Sequence, residues 1–117
     1  MDIPPELQDK LAQFQTIQQQ LQLISIQKQQ LLVQKTETEN ALIELGKLSG
    51  GEKIFKATGM LLIESSKKES EKCLGEEKEL SETRVKVLEK QEKKLTEKYD
   101  EMRTQIQAMI SQKKDAG

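Results

Sequence analysis

Few residues in this sequence could make or break covalent bonds. It has no histidine and a single cysteine, Cys73, so it lacks both an imidazole base and a partner for an internal disulfide. A zinc site is nearly excluded on the same grounds, and Cys73 reads as a small helix-surface residue. No GxxxxGK phosphate loop is present, and Ser49-Gly50-Gly51-Glu52-Lys53 has the wrong spacing, so its glycines read as a connector. The sequence therefore argues against an enzyme, and no cofactor or metal is expected. The chemistry that remains is non-covalent. Met102, Ile106, Met109 and Ile110 lie near one end of the chain and Ile3, Leu7, Leu11 and Phe14 near the other. The flexible thioethers of Met102 and Met109 suit contact with irregular apolar surfaces.

Composition narrows the elements that could position these groups. Only 34% of the 117 residues are hydrophobic and 3% aromatic, while 33% are charged, too lean for an ordinary packed globule. Such a chain suits long helices that bury one stripe and solvate the rest. Nineteen basic and twenty acidic residues leave a net charge of −1. That interspersed balance offers no broad positive surface for nucleic acid or anionic lipid. The start, MDIPPELQDK, is acidic and polar where a secretory signal is basic and then apolar. The longest apolar run, Met60 to Ile63, is far too short to span a bilayer, and a cytoplasmic protein is expected.

The first helix is expected over 5–46, opened by proline and closed at Gly46, a natural C-terminal cap. Alternating steps of three and four give Leu7, Lys10, Phe14, Ile17, Leu21, Ile24, Lys28, Leu31, Lys35, Thr38, Leu42 and Leu45, mostly apolar, as a coiled-coil seam requires. The second helix is expected over 66–112, opened by the capping-box pattern Ser66-Lys67-Lys68-Glu69, with 113–117 as a tail. Its seam reads Leu74, Lys78, Ser81, Val85, Leu88, Glu92, Leu95, Tyr99, Met102, Ile106 and Met109. Tyr99 is thus a seam residue rather than a stacking platform. Gly75 is the weak point, where the first turns of this helix could fray or bend.

Two helices of similar length and a short connector predict an antiparallel pair in which facing residue numbers sum to about 112 or 113. Phe14 then faces Tyr99, Leu7 faces Ile106, Ile17 faces Leu95 and Ile24 faces Leu88. The same rule sets Lys35 against Lys78 and Leu21 against Glu92, two layers expected to be loose or solvated. A linker over 47–52 leads to a β-hairpin over 53–64, with strands Lys53 to Ala57 and Met60 to Glu64 around Thr58-Gly59. Ile54, Phe55, Ala57, Met60, Leu61, Leu62 and Ile63 make it apolar on both faces. A lone hairpin is marginal in water, so these residues must meet strands of other subunits. The expected fold class is mainly α: a long antiparallel two-helix coiled coil joined by a single β-hairpin that needs strands from other subunits.

Three stretches together, IPPELQDKLAQFQTIQQQLQLISIQKQQL, IFKATGMLLIE and VLEKQEKKLTEKYDEMRTQI, resemble the β-type prefoldin subunits, of the archaeal type. The single hairpin is similar to that of the β type, since α-type subunits carry two. The resemblance implies a hexamer of two α-type and four β-type subunits, with hairpins joined into β-barrels and six coiled coils hanging from them. It also implies an ATP-independent chaperone that holds unfolded polypeptides at the coil ends and delivers them to a group II chaperonin. On that reading Ile3, Leu7, Leu11, Phe14, Met102, Ile106, Met109 and Ile110 contact clients, partly exposed where the helices fray. Lys113 and Lys114 cap the helix C-terminus and could touch an acidic chaperonin surface. The rival expectation is a structural coiled-coil tether or scaffold, which would use the same seams to bind one defined partner.

Overall fold

The computed structural model describes residues 3–116, with side chains described over 3–112. The element order is α1 (Pro5–Gly46), β1 (Ile54–Thr58), β2 (Leu61–Ser65) and α2 (Lys67–Ala116). Pro5 opens α1 because a first-turn residue needs no N–H partner and proline already has a helical φ. The Gln8 amide then donates to the Pro4 carbonyl at 3.0 Å. At the other end Gly46 is the last helical residue, yet its φ is not positive. The helix ends instead by tightening, as Lys47 N–H donates to the Glu44 carbonyl and Leu48 N–H to the Leu45 carbonyl.

Ser66 caps α2 as the sequence predicts, its hydroxyl accepting from the Glu69 amide at 3.2 Å. Gly75, where fraying or bending is expected, does not interrupt the helix, and α2 runs through it. A Cβ built at Gly75 meets nothing within 4 Å. Gly75→Ala is therefore expected to stabilise the chain by about 0.5–1 kcal/mol, through the backbone entropy that glycine loses on folding. Thermal unfolding by circular dichroism checks this as a raised midpoint; an unchanged or lower midpoint counts against it. Helix α2 also continues past the expected end at 112 into the presumed tail, to Ala116. Ser111-Gln112-Lys113-Lys114-Asp115-Ala116 contains no glycine or proline to stop it.

The hairpin forms one residue later than expected on each strand. Thr58 pairs with Leu61, leaving Gly59 and Met60 as the two-residue turn in place of Thr58-Gly59. Gly59 has a φ of +59°, the sign a II′ turn requires at its first central position, and no non-glycine residue shares it. Thr58, β-branched, goes to the strand. Met60 correspondingly leaves its predicted strand for the turn.

The chain packs as two units, one of residues 1–28 with 87–117 and the other of residues 29–86. In unit 1 the helices run antiparallel, with Phe14 stacked on Tyr99 at 4.6 Å between ring centroids, the pairing the register predicts. Leu7, Ile24 and Ile106 are buried. Lys10 Nζ donates to Gln105 Oε1 at 2.9 Å and Lys28 Nζ meets Glu92 Oε1 at 3.2 Å. In unit 2 Leu45 and Val85 are buried, together with the small hydroxyl side chains of Thr38 and Ser81. Thr38 Oγ1 donates to the Gln34 carbonyl at 2.9 Å, so its burial leaves no orphan donor. Lys67 Nζ donates to the Leu48 carbonyl at 2.8 Å, tying the start of α2 to the linker.

Every seam position named from the sequence is buried or half-buried on both helices. The two layers expected to be loose behave differently. Glu92 reaches Lys28, and Lys35 reaches Glu82 at 3.6 Å instead of standing against Lys78. Helical side chains lean toward their own N-terminus, so in an antiparallel pair the two leans bring together residues offset along the seam. The lysines lay their stems along the seam and carry their charge to its rim.

Candidate functional site

In unit 2 the hairpin is the feature that packing leaves unfinished. Side chains alternate across the strands, so Ile54, Lys56 and Thr58 share one face with Leu61 and Ile63, while Phe55 and Ala57 share the other with Leu62. Phe55, Leu61, Leu62 and Ile63 are all exposed, Leu62 to 73% and the turn residue Met60 to 103%. The sheet has two strands, so each keeps an outer edge unpaired among the described residues. An apolar hairpin with exposed side chains on both faces and unpaired edges is suited to adding strands. Beneath it lies a hollow of about 250 Å³ lined by Leu45, Ile54, Phe55, Cys73 and Leu74. Cys73 is half-buried on α2, where it faces this hollow. Ile54, also half-buried, anchors the hairpin there.

In unit 1 the eight predicted contact residues divide by accessibility. Ile3, Leu11 and Ile110 are exposed, Phe14, Met102 and Met109 are half-buried, and Leu7 and Ile106 are closed at 6% and 7%. Leu7 and Ile106 are thus more covered than the partial exposure expected at the helix ends. The Phe14–Tyr99 stack lies two turns further along the same seam. The Gln8 side-chain amide donates to the Ile3 carbonyl at 3.0 Å, which holds Ile3 beside the first turn. The result is an exposed apolar rim around a closed seam. Lys113 and Lys114 have their backbone in α2, but their side chains lie outside the described residues.

Sequence reasoning passed over a further set of exposed apolar residues away from the seam. Leu23, Ile26 and Val87 belong to unit 1, and Val33, Ile43 and Leu80 to unit 2. Their signal was available, since an apolar residue off a three-four stripe is conspicuous in a chain so lean in apolar groups. Among the described residues no group of His, Cys, Asp or Glu is arranged to hold a metal ion, and no helix is long and apolar enough to cross a membrane.

Two long helices joined through a single free-edged hairpin are the architecture of this chain. The model of the prefoldin subunit family matches residues 8–113. The prefoldin subunit beta of Archaeoglobus fulgidus is 38% identical over 110 residues, 94% of this chain and 95% of that one. That of Thermococcus onnurineus is 40% identical over 109 residues, 93% and 94% of the two chains. Among solved structures, the crystal structure of the prefoldin beta subunit from Thermococcus strain KS-1 aligns with a TM-score of 0.81 at 40% identity, covering 92% of this chain and 95% of that one. The beta2 subunit from the same strain aligns at 0.70 over 78% of this chain and 97% of that one, and at 24% identity it supports the fold alone. The chain belongs to the prefoldin subunit family, and its function is accordingly of the chaperone type.

Proposed function

We propose that the chain is the β-type subunit of an ATP-independent cytoplasmic chaperone that holds unfolded polypeptides at the helix ends of unit 1 and delivers them to a group II chaperonin. The observation that carries this reading is the exposed rim of Ile3, Leu11 and Ile110 around a half-covered Phe14, Met102 and Met109. Apolar groups held in partial contact with water gain by covering an apolar segment of another chain. Methionine adapts to whatever shape that segment presents. Leu7 and Ile106 join the contact when the last turns open under a bound client.

Assembly follows from the hairpin. Ile54, Phe55, Ala57, Met60, Leu61, Leu62 and Ile63 gain cover, and the free edges gain hydrogen bonds, when hairpins of several subunits close into a β-barrel. The partner is an α-type subunit and the assembly an α2β4 hexamer. Several coil ends acting on one client turn weak single contacts into useful avidity. Lys113 and Lys114, at the C-terminal end of α2, supply the cationic contact to the chaperonin.

The assembled protein is expected to slow the light-scattering aggregation of several unrelated denatured proteins with no nucleotide present. Activity toward none of them, with assembly intact, would favour a tether that binds one defined partner.

A further inference from the structure

One flank of unit 1 carries a groove whose charge is unbalanced. Two shallow hollows of about 430 and 550 Å³ adjoin there, sharing Gln20, Leu95 and Lys98. Their floor is apolar, formed by buried Ile24 and half-buried Ile17, Leu95 and Met102. One rim is the α1 face with Gln13, Gln20 and Gln27, in a stretch, residues 11–27, without a charged side chain. The opposite rim, on α2, carries exposed Lys94 and Lys98.

Coiled coils usually place opposite charges across such a flank. Here glutamine stands across from lysine, and among the described residues no salt bridge engages Lys94 or Lys98. Lys28, Lys35 and Lys67 each have a carboxylate. The groove therefore offers an apolar floor, amides that both donate and accept hydrogen bonds, and two cations that no ion pair holds among the described residues. Charge complementarity selects the occupant. A segment in which carboxylates are interspersed with apolar side chains answers that rim and that floor together.

We propose that this flank binds segments of non-native polypeptide in which apolar side chains are interspersed with carboxylates, so that the subunit prefers acidic amphipathic stretches of its clients. The inference rests on the client-holding reading above and adds to it a second surface with a charge preference. It predicts a selectivity that an apolar helix end alone would not have.

The test uses the full chain and a labelled peptide carrying Leu at helical spacing with Glu between, beside a sister peptide with Lys in place of Glu. By fluorescence anisotropy the Glu peptide is expected to bind at least about tenfold more tightly. K94E/K98E should reverse the order and K94Q/K98Q should abolish the preference, while K93E, outside both hollows, should leave it unchanged. Far-UV circular dichroism checks that the helices persist. Equal binding of the two peptides, or an undiminished preference in K94E/K98E, overturns the groove. Suppression of aggregation by wild type without peptide discrimination likewise overturns the groove and spares the holding reading. Discrimination without any suppression supports the groove's charge chemistry and overturns the holding reading.

Discussion

Glutamate on both faces of the hairpin, as I54E with L62E, is expected to abolish assembly with the α-type subunit while leaving the helices formed. Ile54 and Leu62 stand on opposite faces of the two-stranded sheet, so the pair of substitutions spoils whichever face an incoming strand or sheet layer would cover. Covering one Leu or Ile side chain contributes about 1.5–3 kcal/mol. Burying an unpaired carboxylate in its place costs several kcal/mol more after relaxation, on the order of the penalties known for single buried ions. Two such changes in each of several copies exceed what a multi-subunit assembly can absorb, and an assembly constant lowered by at least about a hundredfold is expected. L62E alone separates assembly from folding, because Leu62 is 73% exposed in the free chain and makes little contribution to its packing. Native mass spectrometry with the α-type subunit should find the doubly substituted chain free. A hexamer of unchanged mass would contradict the proposed barrel.

Removing residues 101–117 is expected to have the opposite selectivity, leaving assembly intact and lowering client capture by more than about tenfold through lost avidity. The deletion takes Met102, Ile106, Met109 and Ile110 together and uncovers Leu7, which is 6% exposed in the intact chain. It leaves the Phe14–Tyr99 stack and the whole of residues 29–86, including both strands, untouched in sequence. An uncovered Leu7 does not substitute for the lost groups, because the first turns of α1, deprived of a partner, fray and present no fixed surface. Hexamer mass is the internal control, and aggregation kinetics without chaperonin give the readout. Full retention of capture would remove the helix ends from the account.

How much of this was legible in the sequence differs by level. The seams were fully legible, from Leu7 to Leu45 on α1 and from Leu74 to Met109 on α2, because burial in a two-helix pair depends on one local stripe. The hairpin was legible as an element and misplaced by one residue. Gly59 can occupy either central position of a two-residue turn, and only the sign of φ at Gly59 and Met60 decides which residues pair. The ion pairs Lys28–Glu92 and Lys35–Glu82 were missed for another reason. A facing rule built on Cα levels ignores the lean of long side chains, which shifts their meeting point along the seam.

The helix ends were less legible than the seam. The end of α2 was placed at 112 rather than Ala116, because the absence of a stop signal before Gly117 is a weaker cue than a cap would have been. Exposed Leu23 and Ile26 carry no seam periodicity, so spacing alone gave them no role. The flank groove emerges only when the two helices are placed together, since its lysines and glutamines lie far apart in the chain. Its missing counter-charge was nevertheless written in the uncharged stretch 11–27.

The division of labour between the two units is tested most directly by photo-crosslinking from single sites in the assembled protein. A benzophenone amino acid is placed at position 110 in one sample and at position 62 in another, with a denatured client present and nucleotide absent. The account predicts client adducts from position 110 and adducts to a neighbouring subunit from position 62. Client adducts from position 62, or none from position 110 while the client is held, would contradict it.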